Sequence, residues 1–337
     1  MAAPKSLEEL DDRLSDPGQD LARALAACPG DIVVLGAGGK MGPTLTRMAM
    51  RAAGGDRRVI AVSKFTSAAA ERAIRATGAD TVRCDLLDPE AIAALPAAPN
   101  VIFMVGQKFG TADAPERTWA INVTVAQHCA VRYATSRIVA FSTGNVYPFV
   151  NVESGGARET DPVGPVGTYA ESCLARERIF EAAALRGARV AIVRLNYAIA
   201  LTYGVLTDLA VAVKTGAPIS LSMGYVNVIW QGDASRAALS LLPHATSPAR
   251  VVNVTGPATL RVRDLADALG RRLGRTPVFA GTESSDALLS NAALMVSLVG
   301  SPAVSVDTML DWTAEWVAAG RPLLGKPTKF GVRDGVF

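Results

Sequence analysis

The chain has 337 residues, half of them hydrophobic and only 19% charged, with a formal net charge of +3; this is an ordinary globular composition, with no excess of charge to attract nucleic acid or an anionic membrane. Cys28, Cys84, Cys129 and Cys173 are scattered without a close pair, and His128 and His244 are the only histidines, so neither a disulfide framework nor a metal site is expected. No run approaches the roughly 20 apolar residues of a membrane span. The opening MAAPKSLEELDDRLSDPGQD is acidic and polar where a secretory signal is basic and then apolar, so a cytoplasmic location is expected.

Residues 6–28 read as a helical preamble. Ser6 and Glu9 have capping-box spacing, and LARALAA resumes after the Pro17-Gly18 break. From Asp31 the pattern changes to short apolar runs (DIVVLG, RRVIAVS, DTVRC, NVIFMV, RIVAFST, ARVAIVRLN) alternating with helical segments, the last of them from Tyr169 to about Leu185. Strands that are apolar on both faces and separated by helices predict an α/β fold with a doubly wound parallel sheet of Rossmann type. Beyond Tyr197 the alternation becomes irregular, with amphipathic helices in TLRVRDLADALGRRLG and SVDTMLDWTAEWVAAG and strands in YVNVIW and RVVNVT. The expected organisation is a helical extension over 1–30 and a dinucleotide-binding domain over 31–197. Residues 198–337 then form a smaller substrate-binding portion, some segments of which return to the sheet.

VVLGAGGKMG places Gly36, Gly38, Gly39 and Gly42 directly after the first strand and at the start of a helix, the context in which a glycine loop holds a pyrophosphate against helix amide groups. Lys40 and Met41 lie within this loop. The second strand ends in Ser63 and Lys64, where an acidic residue would select NAD; a hydroxyl and an ammonium suit a 2′-phosphate instead, with Lys40 as a second cation. NADP is therefore the expected cofactor, with NAD as the alternative.

With these residues, AFSTGNVYP and GTYAESC, the chain resembles the extended short-chain dehydrogenase/reductase superfamily, within it the NAD-dependent epimerase/dehydratase group, from about Asp31 to Asp311. The resemblance implies an adenine contact at Asp85, further cofactor contacts at Leu86, Val105 and Gly106, and a homodimer formed through helices flanking the sheet. It also implies that Thr143 and Tyr169 reach the reacting oxygen. A free phenol titrates near pH 10, so ionising one at pH 7 requires about 4 kcal/mol of stabilisation. In the family a lysine four residues after the tyrosine helps supply it; here that residue is Cys173. Two compensations are expected. Thr168 with Glu171 is a capping-box pattern that would set Tyr169 at the positive end of a helix dipole, and Lys108, after the fourth strand, would bring an ammonium to the same edge. Arg176, a turn further on, is expected to be structural.

Three departures from the family pattern argue against a nucleotide-sugar substrate: Gly144 and Asn145 follow Thr143 in place of an Asp-Glu pair, Val226 and Asn227 stand where an arginine is usual, and Asn196 is two residues past Arg194 rather than three. A small hydroxylated or carbonyl compound (a free sugar, sugar acid or aldehyde) matches the polar set Gln107, Lys108, Thr143, Asn145, Asn196 and Tyr197. The first expectation is an oxidoreductase or epimerase with Tyr169 as proton carrier; the alternative is a cofactor-binding sensor without turnover.

Overall fold

Each apolar run before residue 197 enters one sheet, and a run from beyond it joins them. The computed structural model describes residues 2–55, 57–110, 113–326 and 328–336. In it β1 (Ile32–Leu35), β2 (Val59–Ser63), β3 (Asp80–Arg83), β4 (Asn100–Phe103), β5 (Arg137–Thr143), β6 (Arg189–Leu195) and β7 (Arg250–Val254) pair in the order β7-β6-β5-β4-β1-β2-β3. Every pairing is parallel. Chain order reverses between β1 and β4, so the loops that follow these strands part and leave a crevice at the carboxyl edge of the sheet.

The sheet is flanked and extended by helices α1 (Leu7–Leu14), α2 (Leu21–Ala26), α3 (Gly42–Ala53), α4 (Val125–Arg132), α5 (Gly167–Leu185), α6 (Val205–Thr215), α7 (Gln231–Ser240), α8 (Val262–Leu273) and α9 (Val306–Ala318). Alternate strand residues point to opposite faces. Ile32, Val34 and Ile102 pack with Leu45 and Met48 of α3, Leu25 of α2 and Leu239 of α7. Val33, Leu35 and Phe103 pack with Cys129 of α4 and Phe180 of α5, the two phenyl rings edge to face with centroids 5.0 Å apart.

A third core joins α6, α8 and α9, where Trp230 meets Trp312 edge to face at 5.3 Å. The N-terminal preamble belongs to both bodies of packing: Leu10 and Leu14 enter this third core, while Leu21 and Leu25 enter the sheet core. Of the expected capping box at Ser6, one half forms, with Ser6 Oγ accepting from Glu9 N at 3.1 Å; the Glu9 carboxylate turns instead to Lys5 N at 2.7 Å. Ahead of α4 the helical run contains a π turn, Ala120–Thr124, around the buried Asn122. No helix among the described residues is long and apolar enough to cross a membrane.

Candidate active site

The loop after β1 is shaped by what its glycines lack. Gly36 has φ 87°, and a Cβ there would lie 3.0 Å from Val105 N; a Cβ on Gly42 would lie 2.2 Å from Ala37 O. Helix α3 follows with Met41 at its N-cap and no side-chain cap, while Gly38 and Gly39 are exposed beside it. Side chains that would fill this cradle or cover the helix amides are absent from these positions, so the residues present fit a dinucleotide pyrophosphate. At the far rim, Lys64 Nζ lies 2.9 Å from Asp85 Oδ2, and Ser63 Oγ faces the loop, 2.6 Å from where a Cβ on Gly38 would stand. Asp85 also accepts from Leu87 N at 3.0 Å; that amide, and then Lys64, hold its carboxyl below the ordinary range. Leu86 departs from expectation: its side chain is buried in the sheet core.

Lys40 departs further. It does not join Lys64 at the ribose rim but crosses toward the smaller portion, where its ammonium lies 3.6 Å from the centroid of the Tyr203 ring. The attraction of that ring and of Asp208 on α6 explains its course. Lys40 as a residue is exposed, yet the ammonium end is surrounded by protein. Titration responds to the surroundings of the charge rather than of the stem, so burial, with Lys108 as a second cation, lowers Lys40 to about 7.

Tyr169 is the third residue of α5. The expected Thr168–Glu171 capping box does not form: the helix begins at Gly167 with Val166 as its N-cap and no side-chain cap, so Thr168 is already helical. The Tyr169 side chain is flanked by the Thr143 hydroxyl and the Cys173 thiol. Thr143 Oγ1 in turn donates to Asn145 Oδ1 at 3.1 Å and accepts from Asn145 N at 3.2 Å. Burial, then the neighbouring Cys173, push the phenol above its usual value; Thr143 and Arg176 pull against them. Arg176 therefore does more than hold structure. Its Nη1 donates to Val105 O at 2.8 Å, its Nη2 donates to Cys173 Sγ at 3.3 Å, and its charge stands behind the thiol in place of the lysine. Gly106 lies over it, a Cβ there falling 3.1 Å from Arg176 Nη1. Lys108 reaches the Tyr169 ring, 5.8 Å from its centroid, and burial lowers its ammonium to about 8.

Lys40, Lys108, Thr143, Asn145 and Tyr169 line one cavity of about 140 Å³, with Asn196 and Tyr197 on its far wall. Asn196 Nδ2 donates to Leu288 O at 3.3 Å, and Tyr197 holds φ 42°, a conformation costly for a bulky residue and typical of a position fixed for a task. Gln107 does not line the cavity. Asn122 clamps its backbone through Oδ1 (2.8 Å) and Nδ2 (3.1 Å), and its own amide turns to Phe109 O. The residues that the sequence pattern did not reveal come from far along the chain. Tyr203 takes the Lys40 ammonium, and Thr328 to Gly335 form a strap over the site: Thr328 donates twice to Asp208, Tyr197 Oη donates to Phe330 O, and Gly335 packs on Val166 and Gly167. No periodicity or motif marks these positions.

The arrangement brings a phenol and a hydroxyl together at the edge of a dinucleotide cradle. No curated protein matches the chain. Solved structures do. UDP-glucose 4-epimerase from Thermotoga maritima, solved with UDP-glucose, superposes with a TM-score of 0.71 at 18% identity, covering 86% of this chain and 99% of its own. The UDP-glucose 4-epimerase of Thermus thermophilus, solved with NAD, gives 0.69 at 19%, covering 85% and 98%. Pal from Bacillus thuringiensis gives 0.72 at 16%, covering 86% and 100%. At such identities the likeness is one of fold. Residues 32–239, from the first strand through the glycine loop, Thr143 and Tyr169 to α7, match the model of one family, and the chain belongs to it: the NAD dependent epimerase/dehydratase family.

Proposed function

We propose that the chain is an NADP-preferring oxidoreductase or epimerase acting at the hydroxyl or carbonyl carbon of a small polar compound, with Tyr169 as proton carrier and Thr143 orienting the reacting oxygen. The observation that carries this is the gathering of Tyr169, Thr143 and Asn145 in one cavity, with Thr143 hydrogen-bonded to Asn145. The glycine loop and α3 would hold the pyrophosphate, and Ser63 and Lys64 the ribose rim. When bound, the nicotinamide supplies a hydride acceptor and donor. The phenol, pushed upward, rests protonated, so it serves directly as the acid that protonates a carbonyl oxygen as that carbon is reduced. In the opposite direction Tyr169 takes the proton, and Thr143 and the Arg176 charge are the groups that favour its ionised form.

Two features favour a compact substrate over the UDP-sugars named for the compared epimerases. A cavity of about 140 Å³ is smaller than the roughly 300–1,000 Å³ that encloses larger ligands. At the place of the usual arginine, Val226 is buried and Asn227 is committed to Ala258 O (2.9 Å) and Ser290 N (2.8 Å).

Cys173, which holds the thiol beside Tyr169 where a lysine is usual, favours a second reading: a cofactor-binding sensor without turnover. Tyr169→Phe separates the two. The enzyme reading expects turnover to fall about 10²- to 10⁴-fold with cofactor affinity retained. A variant that binds cofactor and turns over as the parent does would remove Tyr169 from the chemistry.

A further inference from the structure

We infer that the strap closes a second compartment of the active site, which receives a short, neutral, apolar arm of the substrate while the carbon that bears it lies at Thr143 and Tyr169. The arm is a single ring or a branched chain of about six carbons. This rests on the reactive corner assigned above and narrows its small polar compound to one whose polarity sits at the reacting carbon.

A cavity of about 160 Å³ adjoins the reactive one, and Asn145 and Tyr197 line both. Its walls continue the reactive corner along the chain. Tyr147, Pro148 and Phe149 follow Thr143 and Asn145, and Val166 stands just ahead of Tyr169. The strap supplies the opposite wall through Lys329, Val332, Arg333 and Gly335. Gly335 packs so closely that a Cβ there would lie 2.2 Å from Val166 O. Lys329 holds φ 54°, and its carbonyl accepts from Val332 N at 3.1 Å, a tight turn that sets Val332 against the cavity. Among the described residues three other than glycine have positive φ, and two of them, Tyr197 and Lys329, line this cavity. Strain of this kind persists where the surroundings fix a residue for a task.

The polar groups of this lining are engaged within the protein. Tyr147 Oη donates to Asn253 Oδ1 and accepts from Arg194, and Tyr197 Oη donates to Phe330 O at 3.4 Å. The Arg333 guanidinium donates to Ser222 O (3.1 Å), Asp286 O (3.2 Å) and the Asp286 carboxylate, and it covers the Phe149 ring at 4.1 Å from the centroid. A ligand hydroxyl entering here would leave water without gaining a partner, which disfavours the body of a sugar. The Tyr147 ring, Val166, Leu288 and Val332 instead favour an apolar arm by removing it from water. The volume is close to the roughly 150 Å³ of an apolar cavity that takes up benzene, which sets the size of the arm. Lys329 is exposed, so its ammonium stays hydrated and attracts an anion weakly. A charged arm is the competing occupant, and the experiment separates the two.

Binding of benzyl alcohol, isoamyl alcohol, glycerol and glycolate to the full chain is measured by calorimetry with and without NADP, and oxidation of the same alcohols by NADP is followed in parallel. The variants are Val332→Phe, which fills the compartment, and Val332→Ala, which widens it. At least one of the two apolar alcohols should bind about tenfold or more tighter than glycerol and glycolate. Val332→Phe should remove most of that ratio, and Val332→Ala should shift the preference toward the larger benzyl alcohol. Glycerol or glycolate binding as tightly as the apolar alcohols, or a ratio that neither variant changes, would overturn the inference while leaving the Tyr169 reading intact. Binding in the expected order with no oxidation of any alcohol and no reduction of the matching aldehydes by NADPH would instead defeat the Tyr169 reading and leave the compartment standing as a ligand site.

Discussion

Two charged clusters, one between α5 and β6 and the other in loops at the carboxyl edge of the sheet, are built on opposite plans. In the first, Glu177 and Arg194 are buried together with an Nη2–Oε2 distance of 2.7 Å, and neighbours bind both: Ser142 donates to Glu177, Arg194 Nη1 donates to Tyr147 Oη at 2.7 Å, and Tyr147 donates to Asn253 Oδ1 at 2.9 Å. Positive and negative charge balance within the protein. In the second, Lys40 and Lys108 line one cavity, with Asp208 acting on Lys40 and Cys173 on Lys108, and Asp208 is already engaged by Thr328. The first plan fixes a strand-to-helix contact and needs nothing from outside. The second gathers two ammonium groups from different loops into one cavity. A buried charge by itself does not mark a functional site; the sum of charge around it does.

The contrast can be broken most forcibly at the balanced cluster. Glu177→Gln leaves the Arg194 guanidinium buried without its counter-charge, and a loss of about 3–5 kcal/mol in unfolding free energy is expected by denaturant titration. A loss below 1 kcal/mol would mean that Arg194 finds compensation elsewhere.

The next effect is at the position that departs from the family pattern. Cys173→Lys would set a second cation beside Arg176, whose Nη2 already lies 3.3 Å from the sulfur of the fully buried Cys173. The variant should lose about 3 kcal/mol, and adding Arg176→Met should restore much of it. A single variant as stable as the parent would show that the site accommodates the ordinary lysine.

The lysine cluster should respond to pH. Folding lowers Lys40 to about 7 and Lys108 to about 8, so from there up to the ordinary lysine value the unfolded chain holds more protons, and the ligand-free protein gains stability as pH rises. The groups facing Lys40 are Tyr203, Asp208 and Lys108; those facing Lys108 are Cys173, Tyr169 and Lys329. Melting curves at pH 6, 7, 8 and 9 read this trend, and a fall in stability across that range would break the assignment.

The smallest effect belongs to an exposed pair. Lys64 and Asp85 are each half exposed, so Lys64→Ala should change stability by less than about 1 kcal/mol. Its expected signature is a weaker preference for NADP over NAD, read from the two dissociation constants.

The parallel sheet is legible in the sequence because buried parallel strands are continuous apolar runs, and the glycine loop because backbone approach to a phosphate demands residues without Cβ. Both signals are local. The cap pattern at Thr168 misleads because Gly167 lies under the carbonyl of Gly335, which fixes the start of α5 from 168 residues away. Sequence neighbours place Lys40 at the ribose rim, whereas its direction is set by Tyr203 and Asp208. Helical spacing alone sets Arg176 aside, although a guanidinium is long enough to reach back a full turn to Cys173.

The strap has a consequence for kinetics. Thr328, Tyr197 and Phe330 close one side of the cavity with hydrogen bonds from the strap to α6 and to the loop after β6, and Arg333 secures the next stretch through Asp286 Oδ1 at 2.6 Å. A ligand that enters or leaves on that side must wait for these bonds to open. Exchange is then limited by local unfolding of about eight residues rather than by diffusion, and low concentrations of denaturant, far below those that melt the sheet, should hasten it.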